Sequence, residues 1–161
     1  LRPFAGYNCE AEAMTKVETF NGSKVLIKIG DGGDPETFAH PCLINTTRSI
    51  QGSASTVDSV IPDCDDPDGV AWTEREKDAL SYTITGEGKM HRADLADYAA
   101  WLKDKASKNV QVIAADGMSG AILLQGKFHL TEFQFGGDRK EKANGSITLV
   151  SDGEIADSLQ A

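Results

Sequence analysis

The chain has 161 residues, 40% of them hydrophobic, which is enough apolar side chain for the core of one domain and excludes a disordered tail. Its 16 Lys and Arg against 25 Asp and Glu give a formal net charge of -9, which disfavours a general electrostatic grip on nucleic acid or an anionic membrane. No run approaches the ~18 consecutive apolar residues of a membrane span, and Leu1, Arg2, Pro3 and Phe4 lack the form of a signal peptide, so the chain reads as cytosolic in origin.

Residues 1–14 mix Pro, Gly, Asn and acids without periodicity and read as an N-terminal arm or leader. From Val17 the pattern turns strand-like. Val17 and Thr19 precede an Asn21-Gly22 break, and Val25, Ile27 and Ile29 alternate with Lys24 and Lys28, which predicts a hairpin. A flexible loop over 30–35 follows. Residues 42–51 and 54–60 are two strand candidates separated by Gly52-Ser53. The stretch Ile61 to Gly69, with two Pro, four Asp and a Gly, is an exposed loop. Alternation resumes over 78–87, with Leu80, Tyr82 and Ile84 on an inward face and Ser81, Thr83 and Thr85 on a polar, uncharged one.

One segment, 91–107, has helical period, with Leu95, Tyr98, Ala99, Leu102 and Ala106 on one face and Trp101 on its flank. Asp94 and Asp97 come early and Lys103, Lys105 and Lys108 late, an order that suits the helix dipole. Val110 to Ala114 is a short strand and Ala121 to Phe135 a long one. Its inward set moves from even positions (Ile122, Leu124, Phe128, Leu130) to odd ones (Phe133, Phe135), which predicts a bulge near Thr131 or Glu132. A charged turn over 136–142 leads into a last strand with Ile147 and Leu149 inward. The domain then runs over 15–153, with 154–161 a short acidic tail. Without βαβ alternation, the sum is an all-β sandwich or barrel with one flanking α-helix.

Chemistry finds no anchor in the sequence. Cys9, Cys42 and Cys64 are an odd set without CxxC spacing, read as reduced thiols rather than a disulfide framework or zinc site. Of three Asn-x-Ser/Thr sequons, those at Asn21 and Asn144 read as Asn-Gly turns. His40, His91 and His129 are scattered, and no Gly-x-Ser-x-Gly elbow occurs. Gly86-Glu87-Gly88-Lys89 lacks the Walker spacing of a phosphate loop. Asp63, Asp65 and Glu74 stand at the first, third and twelfth positions of a calcium loop, but Asp68 occupies the sixth, where the turn demands Gly. The reading is therefore neither an enzyme nor a holder of a cofactor or metal.

The order of elements carries a resemblance. The phrases are Thr46-Thr47-Arg48-Ser49-Ile50 with the polar run to Val57-Asp58; Gly69 to Thr73 with its Trp; Ser81 to Gly88; and Gly126-Lys127-Phe128 to Gly136 leading into Ala143 to Gly153. Over roughly Val17 to Gly153 the chain resembles the major tail tube proteins of long-tailed, non-contractile phages and gene transfer agents. The resemblance implies a β-sandwich subunit made in a bacterial host's cytoplasm and carried in the virion tail. Such subunits form hexameric rings stacked head to tail, meet other tail proteins, and let DNA pass through the lumen without specific binding or any membrane. The runner-up is a tube subunit of a contractile tail or a type VI-like secretion system. A calcium-dependent β-sandwich binding module and a hydrolase with an acidic site are more distant alternatives. Within the tube reading, Asp63, Asp65, Asp66 and Asp68 of one subunit are assembly-interface candidates facing Arg139, Lys140 and Lys142 of another. The net negative charge is expected at the lumen, where like charge removes the counterion-release drive for DNA to adsorb.

Overall fold

The computed structural model describes residues 17–159, so the arm expected at 1–14 and Cys9 lie outside the described residues. Among the described residues there are seven strands: β1 (Leu26–Gly30), β2 (Phe38–Ala39), β3 (Thr47–Ile61), β4 (Trp72–Lys89), β5 (Lys108–Ala114), β6 (Ile122–Gly136) and β7 (Asn144–Leu159). They form one antiparallel sheet in the order β2-β1-β5-β6-β7-β4-β3. The single helix α1 (Leu95–Lys103) lies against β6, where the Tyr98 ring meets that of Phe133 with centroids 5.5 Å apart. The sheet curls until its far sides touch: Arg48 of β3 donates from Nη1 to Val25 O, just ahead of β1, at 2.8 Å.

Inside the curl, alternate residues of five strands meet in one core. Ile27, Ile84, Val110, Val112, Phe128, Leu130, Ile147 and Leu149 are buried, and Leu43, Ile44, Tyr98 and Trp101 close the open side. Each fully buried aliphatic or Phe side chain contributes about 1.5–3 kcal/mol relative to exposure. The alternation read at Val25, Ile27 and Ile29, and at Ile147 and Leu149, is the alternation observed. The predicted bulge is present too: the β6–β7 register shifts between Leu130 and Glu132.

Other expectations change once pairing partners are known. Asn21-Gly22 does not turn a hairpin; Gly22–Lys24 is a 3-10 turn leading to β1, which pairs with β2 and β5. Val17, 78% exposed, belongs to no strand, because the apolar residues of β5 offer β1 a better partner than the local segment does. Gly52-Ser53 does not divide two strands, and β3 runs through it. A Cβ at Gly52 would stand 2.9 Å from the Tyr82 ring, so that glycine makes room for a cross-strand aromatic. Strand β4 begins at Trp72 rather than Asp78. Asn144-Gly145 is the start of β7, not a turn.

The tail expected at 154–161 is, as far as Leu159, the far half of β7, paired with Ile122–Gln125 of β6. A second register shift, between Gln125 and Lys127, and the positive φ of Gly153 (85°) let β7 bend and continue. Helix α1 is shorter than its period implied and turned by one residue, with Trp101 buried at 4% and Leu102 43% exposed. Lys108 covers the indole, its Nζ lying 5.0 Å from the ring centroid.

Candidate assembly surface

Beyond Thr83, β4 has no strand partner among the described residues but β3. Residues Gly52–Ile61 and Trp72–Tyr82 leave the body as a bare two-stranded ribbon, ~35 Å long at ~3.3 Å per residue, and nearly every residue of it is exposed. Ser151 Oγ accepts the Tyr82 N–H at 2.9 Å where ribbon and body part. Leu80, expected inward, is 72% exposed because it stands on this arm, past the end of the core. A ribbon of two strands with no face buried is marginal in water by itself.

The arm tip, residues 62–71, holds Asp63, Asp65, Asp66 and Asp68, all exposed. Asp63 Oδ1 accepts the Asp65 N–H at 2.9 Å, and the Gly69 N–H donates to Asp66 O at 3.1 Å, which folds the loop on its own backbone. Glu74, the twelfth position of the calcium pattern, lies inside the β3–β4 ladder opposite Ser59 rather than in the loop. Among the described residues no group of three His, Cys, Asp or Glu side chains is placed to hold a metal.

Arg139, Lys140 and Lys142 sit in the β6–β7 turn, which the Glu141 N–H to Asp138 O bond closes at 3.0 Å. Lys89, at the far end of β4, is beside that turn: it pairs with Asn144, and its Nζ donates to Asn144 Oδ1 at 2.7 Å. The structure thus keeps the acidic and basic candidates apart, at the two ends of β4, on the order of 50 Å along an extended strand. None of them takes part in an ion pair among the described residues. Between the two ends, Ser81, Thr83 and Thr85 are half-buried, and Ser81 Oγ hydrogen-bonds Ser53 Oγ across the ladder at 2.8 Å.

Two features of this surface escaped the sequence. Trp72 is 89% exposed on the arm, and Phe135 is 61% exposed in a cleft of about 560 Å3 bordered by Lys89, Gly136 and Gly145. Spacing gave no sign of either: Phe135 sits at a strand position expected inward, and the register shift between Ser55 and Thr56 turns Trp72 to the face opposite Leu80, Tyr82 and Ile84. The three histidines each find a local partner instead of a common site. His40 Nδ1 donates to Ile27 O at 2.8 Å, His91 lies 3.4 Å from Asp94, and His129 lies 3.1 Å from Asp152. Burial, with Asp94 second, pushes the Tyr98 hydroxyl well above its ordinary range, as expected for a residue serving the core.

Residues 19–157 match the family model described as phage tail tube protein. The chain belongs to that family. It is a structural subunit of a tail tube, and the all-β architecture with one helix is the fold of solved tail assemblies. A chain of the tail of an empty gene transfer agent particle, determined with C6 symmetry, superposes with a TM-score of 0.67 at 24% identity, covering 89% of this chain and 100% of that one. A chain of the native gene transfer agent virion gives 0.67 at 23%, with the same coverage. A chain of the sheath/tube terminator of an extracellular contractile injection system gives 0.58 at 15%, covering 88% of this chain and 98% of that one. No curated protein matches the sequence. Among the described residues no helix is long and apolar enough to cross a membrane.

Proposed function

We propose that this tail tube protein forms hexameric rings that stack head to tail into a conduit through which DNA leaves the particle. Its part is structural rather than catalytic, and the subunit is made in a bacterial host's cytoplasm before it joins the virion tail with other tail proteins. The observation that carries the reading is the arm, a long ribbon exposed on both faces that needs a neighbour to cover it. The C6 symmetry of the gene transfer agent tail, whose chain has the same fold, supports rings of six.

Opposite charge at the two ends of β4 supports head-to-tail stacking, since a contact between unlike surfaces repeats without closing on a pair. Asp63, Asp65, Asp66 and Asp68 of one subunit then face Arg139, Lys140 and Lys142 of the next. The remaining negative charge suits a lumen to which DNA does not adsorb. Negative-stain electron microscopy of the purified protein tests the reading. Rings or tubes are expected, and monomers that persist at high concentration would overturn it.

A further inference from the structure

Two surfaces at opposite ends of β4 match in polarity as well as charge. On the arm, the β3–β4 register sets Ile61 opposite Trp72, Ser59 opposite Glu74 and Val57 opposite Glu76, so Val57, Ile61 and Trp72 share one face. They are 57%, 59% and 89% exposed, apolar side chains set among Ser59, Glu74 and Glu76 on that same face, and no other described residue of the subunit pairs with the arm there. The tip beside it carries acids only, with no Lys or Arg from Ile61 to Glu74. At the other end lies the cleft of about 560 Å3, where the exposed Phe135 ring is flanked by Lys89 and Glu87, and Gly136 and Gly137 of its lining open the 136–142 turn with three bases against two acids.

We propose that the Val57–Ile61–Trp72 face of one subunit's arm seats in the Phe135 cleft of a second copy, with Trp72 as the leading side chain. The inference rests on the tube reading above and adds the seat of the arm to it. A second copy is the occupant because the charges are complementary and because the two surfaces, separated by the length of β4, cannot meet within one chain. Each subunit then offers one arm and one cleft, and the contact propagates along the stack. Phe135 and Trp72, the two most exposed aromatic rings of the arm and cleft, become each other's cover.

Cys64 in the arm tip is exposed and free, which supplies one end of a crosslink. Gly136 borders the cleft, and a Cβ there meets nothing within 4 Å. In a Cys9→Ser, Cys42→Ser background, Gly136→Cys protein assembled into tubes and treated with a short bismaleimide is expected to give a ladder of covalent multimers. Gly22→Cys, at a position equally open but by the opposite end of β6, is expected to give none. Tubes on the grid with no ladder, or an equal ladder from Gly22→Cys, would overturn the seat of the arm and leave the tube reading standing. Absence of tubes from the wild-type chain would sink both. Trp72→Asp, at a side chain already in solvent, is expected to keep the monomer's melting temperature and lose the ladder; a ladder that survives it also refutes the proposal.

Discussion

Gly86, Gly88 and Gly145 form a bare floor on which the segment before β3 lies. A Cβ at Gly86 would come within 2.6 Å of Ile44 Cγ1, and one at Gly88 would overlap the Leu43 carbonyl oxygen. Leu43 and Ile44 are fully buried there, and Gly88 and Gly145 are directly paired across β4 and β7. Gly88→Ala is therefore expected to destabilise the fold by about 1–3 kcal/mol, as overpacking does, because the obstructing atom is backbone and cannot turn aside. Urea unfolding at constant m-value reads this, with Gly22→Ala as the control that shows no comparable loss. The Gly86-Glu87-Gly88 pattern was visible in the sequence. Its packing role was not visible, because the residues that need the space come from a segment far earlier in the chain.

At the scale of elements, the body and the arm differ in what holds them. Strands β5, β6 and β7 bury Val110, Val112, Phe128, Leu130, Ile147 and Leu149, whereas the distal halves of β3 and β4 have only each other. Hydrogen exchange should divide along that line. In the free subunit, amides of 53–61 and 72–81 are expected to exchange much faster than those of β6, and to become protected on assembly. Equal protection of arm and body in the monomer would show that the ribbon is stable by itself. The body strands were legible from alternation, and even the bulge at Leu130 came from the shift of inward residues. Of the arm, 54–60 was read as a strand, but that it pairs with 72–77 and leaves the body was not legible, since a ribbon without a buried face has no apolar period to announce it. Its strand lengths are set by the partner strand, so Gly52-Ser53 looked like a break and alternation was read only from Asp78.

Over the whole molecule, the net charge of -9 is a poor summary, because its signs are sorted in space. Acids crowd the arm tip, and the β6–β7 turn carries Arg139, Lys140 and Lys142 against Asp138 and Glu141. A single exposed ion pair contributes only about 0–1 kcal/mol, but a tube repeats the same contact in every subunit, so small increments decide whether it grows. Arg139→Glu with Lys140→Glu is expected to impair polymerisation at low salt, and Asp65→Lys with Asp66→Lys added to the same chain is expected to restore part of it. Light scattering follows both; normal tubes from the first variant at low salt would dismiss the pairing.

By itself the sequence determined an all-β domain with one helix, the core residues of its central strands, and the presence of one acidic and one basic loop. These properties are written in local periodicity, turn chemistry and composition. Only the tertiary structure decided that 154–159 extends a strand, that Trp101 rather than Leu102 faces the core, and that the two charged loops stand at opposite ends of β4. Those outcomes depend on which distant residues share a ladder, and pairing between distant segments leaves no mark on the local pattern of either one.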